Sequence, residues 1–308
     1  MTYSASSTAP LIYYPDIAGQ LANYGFETAF AAADWTASGT SVPTRDLAVF
    51  KYGVASAKFN PAAQTSLLTE TQTFILAPGW KSTGNLEPWY VYFIARVDAV
   101  TGTPAFTVVF DMRDSSHNVV ATQTATGTFN LGAGGNIPTT AIWGLYRAGP
   151  LTPTTYTNVT EMKVVMGFAA NSTATMYVDN VYLGHALDFQ DIGISGACDI
   201  VHPYKYRKQV FCDYDENEYG AYSSRRYNTG FYTGEFETTG FPESARTSWQ
   251  NFADYGMDGT AWTLWHDRTR VDRDYFAKVM TDQDHYGTEQ LPGKLDWKAK
   301  MKWRQVIA

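Results

Sequence analysis

Alternation of apolar and polar positions recurs through the first half of the chain and predicts short β-strands. The clearest stretch is 106–112, whose alternate positions are all large and apolar: Phe106, Val108, Phe110 and Met112. Apolar runs of strand length occur at 90–97 and 162–168, and clusters of Gly, Pro and Asn separate the runs. Many strands with turn signals between them, and no long helix, predict an antiparallel jelly-roll β-sandwich.

The second half shows one helical pattern surrounded by further strands. Residues 242–255 carry a proline at the start and place Trp249 and Phe252 at helical spacing, and Gly256 then ends the pattern. Strands are predicted on both sides of this helix, at 207–214, 222–239, 260–266 and 295–307. This half is therefore predicted to be a β-sandwich or barrel-like domain with one main helix.

The last of these strands separates its side chains clearly between two faces. One face is mostly apolar, with Trp297, Ala299, Met301 and Trp303. The other face carries four cations, Lys298, Lys300, Lys302 and Arg304. Cations two residues apart repel each other at about 7 Å unless an acidic surface lies opposite. We interpret this row as an assembly interface facing acidic residues of another subunit (Asp213, Asp215, Glu216 and Glu218), with a plain solvated strand face as the alternative.

Charge density divides the chain into two domains. Residues 1–185 contain 8 basic and 11 acidic side chains, whereas 186–308 contain 15 basic and 19 acidic ones. We therefore predict an N-terminal arm at 1–19, a jelly roll at 20–184, a linker at 185–197 and a β-rich assembly domain at 198–308. The helix of the last domain is predicted near 243–255.

Composition excludes several classes of function. A net charge of −7 disfavours binding to nucleic acid, and the chain has no run of 18 apolar residues that would span a membrane. The first ten residues lack the basic and apolar regions of a secretory signal. No nucleophile elbow, phosphate loop or metalloprotease motif occurs, so we expect no enzyme activity and no catalytic residues.

Four motifs in the first domain rise above composition. They are Leu21-x-Asn23-x-Gly25-Phe26-Glu27 followed by Trp35, then Gly53-x-x-Ser56-x-Lys58, then Trp89-Tyr90-Val91-Tyr92-Phe93, and finally Tyr177-Val178-Asp179-Asn180-Val181-x-Leu183. In this order they resemble the jelly-roll carbohydrate-binding modules that accompany many glycosidases. The resemblance covers about 20–184 and implies two antiparallel sheets, with the first and last strands paired near one edge. It also implies that Trp35 lies in the core.

The same resemblance implies a structural calcium ion, and we expect no other cofactor. Its ligands would include Glu27 and Asp179, since calcium prefers carboxylate and carbonyl oxygens. The alternative is that both carboxylates accept hydrogen bonds from turn amides and that no ion is present.

A sugar-binding surface needs flat aromatic faces for the C–H groups of a pyranose ring. Trp80, Trp89 and Trp143 lie in or near loops and strand starts, so they are the candidates for carbohydrate binding. The alternative is that some of them pack in the core.

The second domain resembles the β-sandwich-plus-helix module of tailed-phage tail proteins, including tail tube and distal tail proteins. The residues that carry the resemblance are the strand pair at 222–237, the helix that ends at Tyr255, the segment 262–267 and the closing strand 297–307. Such modules join sheets edge to edge into rings. Here the jelly roll precedes the tail-like module, which leaves the particular tail component open.

Together these resemblances predict a structural virion protein at or near the tail tip of a tailed bacteriophage. It would be made in the host cytoplasm, assemble with copies of itself and with neighbouring tail proteins, and present the jelly roll to a glycan of the host surface. The first alternative is a free or secreted carbohydrate-binding protein that is accessory to a glycosidase. The second is a glycoside hydrolase with an unrecognised site.

Overall fold

The protein is mainly β: nineteen strands and one helix are found among the residues that the computed structural model describes. These residues are 11–14, 21–31, 33–73, 87–169, 172–188, 205–209, 212–216, 222–226, 231–238, 241–257, 262–265, 276–290 and 296–305. They divide into two compact units. The first contains the described residues from 21 to 186 and is called the jelly-roll unit, and the second is called the C-terminal unit.

Two antiparallel sheets of five strands each form the jelly-roll unit. The first sheet is formed by β3 (Thr44–Asp46), β4 (Ser56–Phe59), β6 (Trp89–Thr101), β9 (Gly144–Leu151) and β11 (Thr173–Asp188), in the spatial order β9-β6-β11-β4-β3. The second is formed by β2 (Thr36–Ser38), β5 (Ser66–Thr73), β7 (Ala105–Arg113), β8 (Val119–Asn130) and β10 (Glu161–Phe168), in the spatial order β2-β5-β10-β7-β8. This arrangement confirms the predicted antiparallel β-sandwich.

The core of this unit lies between the two sheets and is rich in aromatic rings. Successive side chains of a strand point to opposite faces, so the alternate apolar positions predicted in 106–112 are all buried. The Phe93 ring packs edge-on against Phe129 at 5.1 Å between centroids, and Phe106 packs edge-on against Phe168 at 5.2 Å. Such pairs contribute about 1 kcal/mol beyond the burial of their area. Trp35 is fully buried, as the resemblance implies.

The expected pairing of the first and last strands near one edge is wrong. The opening motif forms turns rather than a strand, and it meets β11 through a backbone hydrogen bond from Val181 N to the Tyr24 carbonyl at 2.8 Å. β11 lies in the middle of its sheet, between β4 and β6. The opening segment therefore lies against an interior strand.

The C-terminal unit is built on one antiparallel sheet with strand order β12-β15-β19-β18-β17-β1. Its strands are β1 (Leu11–Tyr14), β12 (Lys205–Gln209), β15 (Phe231–Glu237), β17 (Trp262–Trp265), β18 (Phe276–Gln290) and β19 (Asp296–Gln305). The short strand β16 (Phe241–Pro242) also pairs with β19. β13 (Cys212–Glu216) and β14 (Tyr222–Arg226) form a separate hairpin.

The single described helix, α1, spans Glu243–Met257 and confirms the predicted helix. Ala245, Trp249 and Phe252 recur at helical spacing and are buried, and the Trp249 ring stacks on Phe241 at 5.4 Å. Glu243 lies in the first turn, where a negative charge is favoured by the helix dipole. No helix among the described residues is long and apolar enough to cross a membrane.

Several element boundaries differ from those predicted. Residues 11–14 of the predicted arm form β1, which pairs with β17. β11 continues to Asp188, into the predicted linker, and His185 is buried there with its ring 4.1 Å from that of Trp89. The single strand predicted at 207–214 is two strands, β12 and β13. β18 was not predicted, because its sequence is polar and lacks alternation.

Candidate functional site

The opening motif folds into a loop that its own asparagine closes. Asn23 Oδ1 accepts a hydrogen bond from Thr28 N at 3.1 Å, and Asn23 Nδ2 donates to the Thr28 carbonyl at 3.1 Å. The Phe26 side chain is fully buried and packs on Trp35 at 5.4 Å, which fixes the loop to the core. Asn23 and Phe26 both have positive φ values, 47° and 59°, as the tight reversal of the chain requires.

The closing motif contains an irregularity directly after its buried aspartate. The pairing of β11 with β6 shifts between Asp179 and Val181, and Asn180 there has a φ of 47°. This is the geometry of a β-bulge, which redirects a side chain. Asp179 Oδ2 accepts hydrogen bonds from Lys51 N at 2.7 Å and from Tyr52 N at 2.9 Å. The closing motif thereby binds the turn that leads into Gly53.

Burial makes Asp179 an unusual carboxylate. Its side chain is fully buried, and no described group donates a hydrogen bond to Oδ1. Burial raises the pKa of Asp179 from its ordinary value of 3.8 to about 6, and the negative charge of Glu27 raises it further. A cation near Oδ1 would therefore stabilise the charged form.

Glu27 occupies space that only glycine leaves open. Its Oε2 accepts a hydrogen bond from Val54 N at 2.8 Å. A Cβ atom at position 53 would lie 1.6 Å from Glu27 Oε1, and Gly53 has a φ of 65°. A Cβ atom at position 25 would lie 2.9 Å from Asn180 Oδ1. The opening motif, the Gly53 motif and the closing motif thus meet at one place in the fold.

Arg45, on β3, fixes the carbonyls of the opening motif. Its Nε donates to the Phe26 carbonyl at 2.8 Å, and its Nη2 donates to the Glu27 carbonyl. Because the backbone of 26–27 is fixed in this way, the Glu27 side chain leaves from a defined position. A rigid backbone beneath a site lowers the conformational entropy lost on binding a ligand.

These residues partly satisfy the requirements of a calcium site. Two carboxylates approach the same turn, and each uses one oxygen for a turn amide, as the ion-free alternative states. Asp179 Oδ1 has no donor among the described groups, so it fits a hard cation. No group of three or more His, Cys, Asp or Glu side chains that could hold a metal is found in the described part of the chain. Backbone carbonyls and water would have to supply the other ligands.

An open cleft of about 600 Å³ lies over this junction and is called the motif cleft. Its lining combines two tyrosines, two asparagines, two acids and small residues: Asn23, Tyr24, Gly25, Glu27, Thr28, Asp34, Tyr52, Gly53 and Asn180. The Tyr24 side chain is 40% exposed, and its ring packs on Tyr182 at 5.7 Å between centroids. Asp34 is held in place because its Oδ1 accepts from Ala31 N at 2.8 Å and from Trp35 N at 2.5 Å.

The cleft offers the chemistry that polyhydroxylated ligands use. Tyrosine rings cover apolar C–H patches, the carboxylates accept hydrogen bonds from hydroxyl groups, and the asparagine amides donate and accept. Sequence reasoning identified Glu27 but not Tyr24, Asp34, Tyr52 or Asn180 as cleft residues. The position of Tyr24 and Asn180 inside the quoted motifs was the signal that could have suggested them.

The three tryptophans predicted for sugar binding have different environments. Trp80 lies outside the described residues. Trp89 is a wrong candidate: its side chain is fully buried on the core face of β6, and its Nε1 donates to Tyr156 Oη at 3.0 Å. A ring enclosed in this way presents no face to a sugar. Trp143 is half-buried just before β9 and stays a prediction.

The predicted cationic row on β19 has acidic neighbours in its own chain. Glu237 on β15 forms ion pairs with Lys298 at 3.0 Å and with Lys300 at 3.4 Å. Lys302 lies opposite Glu235 in the strand register, and the side chain of Arg304 lies outside the described residues. β19 pairs on both sides, so these lysines do not protect a sheet edge. Repulsion within the row therefore does not require an acidic partner subunit.

The acids proposed to face this row cannot be placed at side-chain level. Asp213, Asp215 and Glu216 lie on β13, opposite β14, but their side chains are outside the described residues. Glu218 lies outside them altogether. An intersubunit role for these acids stays a prediction.

A buried glutamate in the jelly-roll unit was also missed. Glu70 on β5 is 1% exposed, and its Oε1 accepts a hydrogen bond from Ala22 N at 2.7 Å. Burial raises the pKa of Glu70 from 4.5 to about 8, and the charge of Asp34 raises it further. The signal was positional, since Glu70 continues the inward-facing series of Ser66 and Leu68.

No protein-family model matches the chain, and no curated protein sequence matches it. Among solved structures, the enzymatically active domain of tailspike protein 4 from bacteriophage CBA120 is similar at 15% identity and a TM-score of 0.38, over 54% of this chain and 21% of that one. TmCBM61 in complex with β-1,4-galactotriose is similar at 14% identity and a TM-score of 0.35, over 54% of this chain and 97% of that one. The CBM22-1 xylan-binding domain of Paenibacillus barcinonensis Xyn10C is similar at 13% identity and a TM-score of 0.31, over 52% and 90%. The antiparallel β-sandwich itself is defined by the pairing of the described strands.

Proposed function

We propose that this chain is a non-catalytic structural protein whose jelly-roll unit binds a saccharide in the motif cleft. The observation that carries the proposal is the lining of the cleft, where an exposed Tyr24 ring and Tyr52 stand beside asparagine and carboxylate groups. Ligand sites generally combine apolar surface with a few fixed polar groups. Here Arg45 and Asn23 fix the backbone that carries Glu27 and Tyr24.

Glycan binding is tested by removing the tyrosine ring. We expect the wild-type chain to bind oligosaccharides on a glycan array and Tyr24→Ala to bind the same ligands at least tenfold more weakly, because stacking area is lost. Phe50→Ala is the matched control, since Phe50 is 39% exposed but does not line the cleft. An array with no bound glycan, or equal affinity of Tyr24→Ala and wild type, would overturn the proposal. Trp143→Ala tests the remaining tryptophan candidate separately.

A structural calcium ion is proposed at the base of the cleft. Asp179 and Glu27 would hold it through their carboxylate oxygens, and the bound ion would supply positive charge that fixes the 51–54 turn against β11. Support comes from the buried Oδ1 of Asp179, which has no donor among the described groups. Glycan binding is proposed independently of the ion.

The place of the protein is proposed to be the tail of a tailed bacteriophage, with the C-terminal unit making the contacts between subunits. The support is the sequence resemblance of 198–308 to tail modules. Immunogold labelling of purified particles with an antibody to this chain should mark the tail tip. A chain that is absent from particles and monomeric in sedimentation would favour the free carbohydrate-binding protein instead.

The absence of catalysis is part of the same proposal. Glu27 and Asp34 both line the cleft, and paired carboxylates are the machinery of glycosidases. Every ligand found on the array should therefore be incubated with the protein and examined for shorter products. Hydrolysis that Asp34→Asn abolishes would establish the glycoside hydrolase alternative.

A further inference from the structure

The charged side chains that line the motif cleft are both acidic. Glu27 and Asp34 carry the negative charge, and none of the nine lining residues is Lys, Arg or His. Two cations lie close by. The guanidinium of Arg45 is occupied by the carbonyls of Phe26 and Glu27, and Lys51 Nζ lies 5.7 Å from the centroid of the Tyr52 ring.

We propose that the motif cleft selects neutral and amino sugars and rejects anionic saccharides such as uronates. This inference rests on the proposed glycan-binding function and adds the class of ligand. The cleft is suited to hydroxyl and ammonium donors, because its carboxylates accept hydrogen bonds and cannot donate them when ionised.

Repulsion provides the discrimination. In the calcium-free protein, a uronate carboxylate that stacks beside Tyr24 would lose water and face two like charges, which opposes binding. The donors in the lining are all neutral: the amides of Asn23 and Asn180 and the hydroxyl groups of Tyr24, Tyr52 and Thr28. Asn23 already uses Oδ1 and Nδ2 in hydrogen bonds with Thr28. A neutral sugar instead donates its hydroxyl protons to Glu27 and Asp34. An ammonium group on the sugar would instead be attracted by the same two carboxylates.

The test compares matched oligosaccharides on the full-length protein. The probes are galactotriose with trigalacturonate, mannotriose with trimannuronate, and triacetylchitotriose with chitotriose. All are titrated by calorimetry at 20 and 500 mM NaCl in the presence of EDTA, so that no calcium ion on Glu27 alters the charge of the cleft. In at least one uronate pair the neutral member should bind tenfold or more tightly at low salt. The difference should shrink at high salt, because salt screens exposed charges.

Asp34→Asn separates charge from shape. The asparagine keeps the Oδ1 acceptor for Ala31 N and Trp35 N but removes one negative charge from the cleft. The variant should narrow the ratio of neutral to uronate affinity severalfold, because it removes repulsion of the uronate and weakens the acceptor for the neutral sugar. Asp98→Asn, on an exposed aspartate of β6 outside the cleft lining, is the control and should leave the ratio unchanged.

The outcomes are distinguishable. Equal or tighter binding of the uronate member would overturn the charge inference and leave the glycan-binding proposal standing. A ratio that Asp34→Asn does not alter would also overturn it, since the selectivity would then arise elsewhere. Failure of all six probes together with a silent array would overturn the glycan-binding proposal and this inference with it.

Discussion

Replacing the buried Glu70 by Gln should make the protein less sensitive to alkaline pH. Glu70 lies on the core face of β5, 1% exposed, where Oε1 accepts from Ala22 N and Oε2 has no donor among the described groups. Glutamine has nearly the same shape and keeps the oxygen that Ala22 N needs. The substitution therefore removes the titration while changing the packing little.

The magnitude follows from the pKa of Glu70, which burial raises from 4.5 to about 8. Between these pH values the folded protein keeps a proton that the unfolded chain releases, so the free energy of unfolding falls as pH rises. At about 1.4 kcal/mol for each unit of pKa, the loss from Glu70 is complete above pH 8 and amounts to about 5 kcal/mol at most. That is comparable to the whole stability of a small domain, which is about 5–15 kcal/mol.

Urea denaturation at pH 5, 6, 7, 8 and 9, followed by tryptophan fluorescence and near-UV circular dichroism, measures the effect. The stability of Glu70→Gln minus that of wild type should increase from pH 5 to pH 8 and level off by pH 9. The new amide leaves a constant offset of about 1–3 kcal/mol if its N–H groups are unsatisfied, so the slope and not the intercept is the readout.

The exposed Glu235→Gln is the control and should track wild type. Parallel pH profiles for Glu70→Gln and wild type would show that Glu70 is not protonated in the folded state, and the reasoning would fail.

Three other changes test the site and the C-terminal unit. Gly53→Ala should lower the melting temperature far more than Gly102→Ala. Both positions have positive φ, but a Cβ atom at 53 would lie 1.6 Å from Glu27 Oε1, whereas the space at 102 is open. Equal decreases in melting temperature would show that the predicted clash at 53 has no effect. Calcium should raise the melting temperature of wild type and not of Asp179→Asn, and EDTA should reverse the rise. A wild-type melting temperature that neither calcium nor EDTA changes would refute the proposed calcium site. Lys300→Glu should cost less than about 1 kcal/mol by urea unfolding, because the Lys300–Glu237 pair is largely exposed. Adding Glu237→Lys should recover only part of the lost stability, since Glu237 also pairs with Lys298. Disrupted oligomers at unchanged stability would instead identify the row as an interface.

Much of the fold could be predicted because strand alternation is a local signal. The inward series of β7 and the spacing of Trp249 and Phe252 in α1 are visible without any tertiary information. β18 could not be found, since its sequence is polar and its pairing with β19 is irregular between Thr281 and Tyr286. Its strand conformation depends on partners that are distant in the sequence.

The site was only partly predictable for the same reason. The motifs point to Glu27 and Asp179, but nothing local shows that Tyr24, Asp34 and Tyr52 line one cleft. Alternation could have corrected Trp89, which falls on the same face of β6 as Val91 and Phe93 and is buried with them. The acids opposite the β19 lysines lie on a neighbouring strand whose register the sequence does not reveal.

The bulge at Asp179 and Asn180 changes which residues of β11 face the core. Before it the core side chains occupy even-numbered positions, Met176 and Val178, and after it they occupy odd-numbered ones, Val181 and Leu183. Alternation already turns Asp179 away from the core, because it follows Val178, and it binds the 51–52 turn there. The extra residue is Asn180, which lines the motif cleft. Deleting Asn180 would restore simple alternation and leave Val181 and Leu183 on the core face, but it would remove an amide from the cleft lining. The inserted residue therefore belongs to the cleft, and the core of β11 could be built without it.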